Sequence, residues 1–296
     1  MFNVHGERVA LVTDTSCDLS DEQLARYDIS MVSLRVVAAA GEFRDRVEIN
    51  QEEMYELLKN EVPKTSLPLP EDISALYARL RDEGCTRILH ISMSSGLSGS
   101  YASAEMAAQT LRERFPERKI RLVDTLSASL GEGLQAVRAA DYRDEGLDVD
   151  ACYERLMEER HTMCQVFTVD DLKYLRHTGR LSAIKTIIGT VLGIKPLLKG
   201  DTEGKIVCFA RTRGRKLSIR ELAAQYAEHV VSPETQTIGI AHADCPEDAA
   251  FLKSLIEKTL PPREIMTVVY EPVTGSHVGP GTLALFFDGD AGFRGK

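Results

Sequence analysis

Short apolar runs alternate along this chain with longer amphipathic stretches, and this switching between strand and helix periods restricts the fold more than any single motif. Residues 9–12 read as a strand, 21–27 as a helix behind a Ser20/Gln23 capping box, and 29–37 as a second strand. Asn50 with Glu53 starts a helix to about residue 59, Pro70 opens another to about 83, and 88–93 form a buried strand. A helix over 99–115, a strand over 120–123 and a helix over 128–141 complete the pattern of a parallel sheet with helices on both faces. Beyond a helix near 152–160 the pattern changes. Strands at 166–169, 195–198, 206–210, 238–241, 265–270 and 283–287 are interspersed with helices at 181–192, 215–230 and 246–259. The reading is an α/β chain of two domains: a parallel-sheet, Rossmann-like N-terminal domain over 1–161 and a smaller mixed α/β C-terminal domain over 162–296. A length of 296 residues suits two cores of ordinary size, with one cleft between them.

Charge and cysteine usage narrow the functional classes. The formal charge of −9, with basic residues scattered rather than striped, argues against a nucleic-acid surface and against electrostatic attachment to anionic lipid. Residues 1–14 lack a basic segment followed by an unbroken apolar run, so they read as a first strand and the expected location is cytoplasmic. The longest apolar helical stretch, 181–194, is interrupted by Lys185 and falls short of the roughly 20 residues a bilayer requires, so no stable membrane insertion is expected. Cys17, Cys85, Cys152, Cys164, Cys208 and Cys245 are dispersed without CxxC or zinc spacing and are expected to be reduced thiols.

In an open α/β sheet, ligands sit beyond the carboxyl ends of the strands, which directs attention to polar residues just after apolar runs. Three such places are Thr13-Asp14-Thr15-Ser16, the run from Ser92 to Ser100, and Asp124-Thr125. In the second, Ser94-Ser95-Gly96-Leu97-Ser98-Gly99 lets the backbone approach a ligand while the following helix presents unpaired N–H groups, an arrangement suited to an anion. A serine there equally serves as a helix cap, and the sequence leaves both readings open. Thr65 and Ser66 place adjacent hydroxyls in a proline-flanked loop between two helices, also a common pattern in ordinary loops. Gly275-Ser276-His277-Val278-Gly279-Pro280-Gly281 puts a glycine-flanked histidine in a loop before the last strand, where imidazole can donate to a carboxylate or phosphate. His90 reads as a satisfied core residue, and His161, His177 and His229 lack metal-ligand spacing, so no metal is expected.

Arginine forks suit carboxylate, phosphate or an acidic partner surface. They occur at Arg211-Thr212-Arg213-Gly214-Arg215-Lys216 after a strand, and at Arg176 and Arg180 in a short loop around His177 and Gly179. A solvated basic face accounts for the same residues. Ser98 departs from G-x-S-x-G at its final position, Gly204-Lys205-Ile206 lacks the hydroxyl of a P-loop, and no G-x-G-x-x-G opens a helix. No complete catalytic machinery and no cofactor are expected.

Taken in order, Val12-Thr13-Asp14-Thr15, Thr65-Ser66, Ser94 to Tyr101, Asp170-Asp171-Leu172 leading to Gly179-Arg180-Leu181, Lys195-Pro196, Arg211-Thr212-Arg213 and His277-Val278-Gly279-Pro280-Gly281 resemble the DegV family along essentially the whole chain. The resemblance implies two α/β domains enclosing one long-chain fatty acid at their junction. It implies a carboxylate held by Thr65, with Ser66 beside it, by a serine of the Ser94-Ser95 pair, and by His277 from the second domain. One branch of the family presents the bound fatty acid to a separate ATP-dependent kinase, which makes acyl-phosphate for phospholipid synthesis. Arg211 matches the arginine associated with that partner or with the phosphorylated head group, and Arg180 matches another near the site. The chain departs from the family pattern at Leu67, where glutamine is usual, at Thr178-Gly179, where a double glycine is usual, and at Gly214, which interrupts the basic run. Residues Leu181, Ile184, Ile187, Ile188, Val191 and Leu192 of the expected helix 181–192 line one side, as wall of a tunnel or as plain core. Two other functions fit the same residues: a serine hydrolase or acyltransferase using Ser95 or Ser98 with His277, and a lipid-sensing regulatory module without a kinase partner.

Overall fold

The computed structural model describes residues 8–181, 193–290 and 292–295. The first strand, β1 (Val9–Asp14), is followed by α1 (Asp21–Arg26) and β2 (Ile29–Val32). Next come β3 (Arg35–Ala38), β4 (Gly41–Arg44), α2 (Gln51–Leu58), β5 (Lys64–Ser66) and α3 (Pro70–Asp82). Then follow β6 (Arg87–Ser92), α4 (Ser100–Arg114), β7 (Lys119–Asp124), α5 (Leu130–Asp144) and α6 (Val149–Glu159). The second half contains β8 (Met163–Thr168), α7 (Lys173–Thr178), β9 (Ile194–Gly200), β10 (Ile206–Arg213) and α8 (Arg215–His229). It ends with β11 (Thr237–His242), α9 (Pro246–Thr259), β12 (Glu264–Val269), α10 (Pro272–Val278) and β13 (Leu283–Asp288).

Four strands make a parallel sheet in the order β2-β1-β6-β7. Six make a mixed sheet, β10-β9-β8-β13-β11-β12, in which β11 and β12 run parallel and the other pairs antiparallel. The chain is therefore mixed α/β, with a parallel sheet before a mixed one, as its alternating pattern predicts. Both expected capping boxes form: Ser20 with Gln23 opens α1, and Asn50 with Glu53 opens α2. Helix α5 lies between the two sheets and is buried nearly all round. Gly133 on α5 faces the Cys17 carbonyl so closely that a Cβ would overlap it.

Five local expectations are corrected. Residues 29–37 form two strands in different sheets: between β2 and β3 the chain breaks at Leu34, whose N–H donates to Thr15 Oγ1 at 3.1 Å and whose carbonyl accepts from Asp45 N–H at 2.9 Å. The freed segment builds a third, antiparallel sheet, β4-β3-β5, and this places Thr65 and Ser66 in a strand instead of a loop. His277 lies in the last turn of α10 and not in a loop, because Glu271 caps that helix and Pro272 occupies its first position. Strand β10 runs on to Arg213, so Arg211 sits within it, and Arg176 and His177 lie on α7, which Gly179 ends in the left-handed region (φ 71°). Of the helix expected over 181–192, all but Leu181 lies outside the described residues.

His90 is a satisfied core residue. Its Nδ1 lies 2.7 Å from the Tyr77 hydroxyl, both residues are buried, and burial pushes the imidazole down to about 3. Tyr77→Phe therefore leaves a buried ring nitrogen without a partner, at a cost of about 1–3 kcal/mol. Urea denaturation should show a lower midpoint with an unchanged slope.

Candidate functional site

The parallel strands β1, β6 and β7 deliver their carboxyl ends to one side, and the third sheet and α10 close over them. There an apolar cavity of about 230 Å³ lies between residues of the first half (Leu34, Leu67, Met93, Leu97, Ala128) and of the second (Leu175, Ile206, Val273, Val278). Its polar groups are few: Thr65, Ser66, Ser98, Thr274, His277 and Arg180. Thr65 Oγ1 and His277 Nε2, 212 residues apart in sequence, lie 2.8 Å apart. Burial and the neighbouring Arg180 guanidinium push the His277 imidazole down to about 3, so it is neutral at pH 7. Its Nδ1 is buried without a hydrogen-bond partner among the described residues. Arg180 donates to the carbonyls of Leu97 (3.4 Å) and Thr178 (2.5 Å), and among the described residues no carboxylate pairs with it.

Of the residues singled out from sequence, Thr65, Ser66, His277 and Arg180 come together on this cavity, while Ser94, Ser95 and Arg211 are not among its lining. Ser94 is fully buried, and its hydroxyl donates to the Gly204 carbonyl at 2.8 Å. Ser95 is exposed, and its hydroxyl and N–H both bind the Asp124 carboxylate, at 2.6 and 3.1 Å. Ser98 lines the cavity, with its hydroxyl 2.8 Å from that of Ser100. These hydroxyls face Asp124, Ser100 and a carbonyl, so the relay of a serine nucleophile to His277 is not assembled. Arg211 is exposed on β10, an edge strand of the mixed sheet. Among the described residues, no group of three or more His, Cys, Asp or Glu is placed to hold a metal ion, and no helix is long and apolar enough to cross a membrane.

Sequence reasoning missed the residues that hold His277 in place. The Glu271 carboxylate accepts from the N–H groups of Val273 and Thr274 at the start of α10, while the Glu271 N–H donates to Asp18 at 2.7 Å. Asp18 also accepts from the Ser129 hydroxyl at 2.5 Å. Asp45 is buried against Glu271, and burial pushes all three carboxyls up, Asp18 to about 7; Asp45 adds to the rise at Asp18, and Asp45 and Asp18 add to that at Glu271, whereas the contact with Glu271 holds Asp45 down. Deeper still, Glu132 accepts from Thr13 and Ser16 beside Asp14, whose carboxyl burial pushes up to about 6. The readable signal was Glu271-Pro272, an N-cap followed by proline at the first helical position.

The profile of a family described as "Uncharacterised protein, DegV family" matches residues 8–290. A DegV domain-containing protein of Clostridium perfringens is 34% identical over 287 residues, covering 96% of this chain and 98% of the relative. The solved structure of a DegV family protein from Thermus thermophilus, described for its fatty acid binding, superposes with a TM-score of 0.85 at 30% identity, covering 96% of this chain and 100% of that one. A DegV family structure from Ruminococcus gnavus refined with vaccenic acid gives a TM-score of 0.86 at 25% identity, covering 94% of this chain and 99% of that one.

Carboxyls whose folded pKa is raised hold protons that the unfolded chain has already released, so their contribution to stability falls as pH rises from the ordinary carboxylate range through the folded value. For Asp18 that window runs from about pH 4 to about 7. Each such group adds a slope of up to about 1.4 kcal/mol per pH unit. Urea midpoints should therefore fall between pH 5 and pH 7.5, and Asp18→Asn should flatten the decline.

Proposed function

We propose, since this chain belongs to the DegV family, that it binds one long-chain fatty acid in a tunnel between domains 1–161 and 162–296. The bound carboxylate would then be presented to a separate ATP-dependent fatty-acid kinase. The observation that carries the reading is Arg180. A guanidinium without a carboxylate partner among the described residues faces an apolar cavity beside a Thr65–His277 pair. A ligand that suits this site brings its own negative charge at one end and hydrocarbon at the other. Because the Thr65–His277 contact takes one of the pair's two protons, a carboxylate accepts the other, from the Thr65 hydroxyl when Nε2–H donates to Oγ1 or from Nδ1–H when Thr65 donates to Nε2, with Ser66 adjacent and Arg180 supplying the countercharge.

Energetics favour a lipid over a small polar anion. Burying about 14 methylenes at roughly 0.8 kcal/mol each sets an upper limit near 11 kcal/mol before ordering and association costs. The head-group contacts contribute less but hold the carboxyl in one place, which transfer to a second protein requires. We assign the chain a binding role without catalysis, metal or cofactor of its own. The kinase-facing surface we propose is the edge strand β10, where Arg211 and Arg213 are both exposed and, two residues apart on a strand, project to one side. Arginines there suit an acidic partner surface or the acyl-phosphate product.

Native mass spectrometry of freshly purified protein should show a stoichiometric fatty acid, and a bare mass after lipid-replete expression would reject the reading. Thr65→Val and His277→Ala should each weaken retention by about tenfold without unfolding the protein, in line with the loss of a hydrogen bond to a charged group of about 1–3 kcal/mol. Arg211→Ala should leave retention unchanged and slow acyl-phosphate formation when the kinase is added.

A further inference from the structure

The structure assigns to Ser94 a role as a positioning residue, fastening the cavity wall to the second half of the chain, and not as a ligand of the carboxylate. A serine hydroxyl has one proton to donate. That of Ser94 goes to the Gly204 carbonyl, in a contact where both residues are buried, while its oxygen accepts the Gly96 N–H at 3.1 Å. Turning toward a ligand would strand the Gly204 carbonyl in the interior, a cost comparable to the hydrogen bond gained. The backbone of Ser94 is also engaged: its N–H donates to Ser127 at 2.7 Å, and its carbonyl accepts from Leu97 and Ser98 at 3.0 and 3.1 Å. Leu97, Ser98 and Gly99, which follow directly, form cavity wall.

The partner of Ser94 is a built structure. Between β9 and β10, Asp201 Oδ1 accepts from Glu203 and Lys205 N–H groups, both at 2.9 Å, and its carbonyl accepts from Gly204 at 3.1 Å. Gly204 has φ +72°, and a Cβ there would overlap Ser94 Oγ, while a Cβ on Gly96 would lie 2.6 Å from the Glu203 carbonyl oxygen. Arg294 holds the turn from behind. Its buried guanidinium donates to the carbonyls of Asp201, Arg160 and Met163, each at 3.0 Å, and to that of Leu126. Two glycines without room for a side chain thus let the turn of one half wedge against the serine loop of the other, and the Ser94 hydroxyl closes the joint. The loop that walls the cavity takes its position from a turn 110 residues away in sequence.

The ligand arm of the test rests on the fatty-acid reading and compares palmitic acid with hexadecanol. A positioning residue shapes the cavity for either, whereas a carboxylate ligand affects the acid alone. Ser94→Ala should weaken both by about the same factor, on the order of tenfold, and loss confined to the acid would overturn the proposal. The second arm needs no ligand. In Ser94→Ala, hydrogen exchange should quicken at Leu97 and Ser98 and also at Glu203 and Lys205, with core amides of β1 and β6 unchanged. Unchanged protection across the turn would equally overturn it. Gly204→Ala, which presses on the same joint, should reproduce the exchange pattern, and the double variant should be no worse than Gly204→Ala alone. If the wild-type protein retains neither acid nor alcohol, the fatty-acid reading fails, and the exchange pattern alone decides the role of Ser94.

Discussion

Helix α5 is buried between two sheets, and that double burial ties the halves of the molecule to one another. Leu130 and Leu134 belong to one continuous core with Leu11 and Ile91 of the first sheet and Ala241, Ala284 and Phe286 of the second. With apolar neighbours on both sides, this helix meets water mainly near its C-terminal end, at Asp141 and Asp144, so separating the sheets exposes most of its length. Close approach follows from the glycines: Gly131 meets Phe286 on one side and Gly133 meets the Cys17 carbonyl on the other. With the sheets held at that spacing, the loops after β1, β6 and β7 have to meet whatever the second half places opposite them, and what it places there is α10.

Helix α10 is short, and two turns contribute little helical stability of their own. It persists because its N-terminus is bound by Glu271, and Glu271 is held by Asp18 and crowded by Asp45. The arrangement places like charges together in the interior, where they cannot all ionise, and the Arg46 guanidinium partly offsets the rise at Asp18 and Asp45. The polar anchoring of α10 and the raised pKa of these carboxyls come from the same buried cluster. His277 inherits its position from that anchoring, since it lies in the last turn of the same helix.

Local signals in the sequence located most of the fold. The capping boxes at Ser20 and Asn50 fixed helix starts because both partners lie within one turn. The failures are of another kind. Residues 29–37 are apolar enough for one strand, and only the Leu34 backbone bonds to Thr15 and Asp45 divide them. Gly275 and Gly279 give the His277 segment the look of a loop, yet the Glu271-Pro272 pair ahead of it outweighs them. At the site, Thr65 and His277 were identified from separate segments and do meet. Ser94 and Ser95 were indistinguishable as sequence, since a hydroxyl's partner is a tertiary fact: one faces Gly204 from the second half, the other Asp124. Composition offers no hint that adjacent serines point to different neighbours.

The division of labour in the cavity follows from dielectric and geometry. Arg180 and His277 sit close enough that the guanidinium opposes protonation of the imidazole, so in the protein itself the polar end carries one positive charge and a neutral donor or acceptor. Under the proposed function, an incoming carboxylate compensates Arg180 and finds Thr65 and His277 already held at hydrogen-bond distance, so little reorganisation is needed. The apolar wall is indifferent to the chemistry of the head group, and the polar end is indifferent to the length of the tail. Leu67 lies where the two regions meet: it lines the cavity, and its Cδ2 is 2.9 Å from where a Cβ on Gly99 would stand. Without a side chain, Gly99 leaves room for the end of Leu67 against the start of α4.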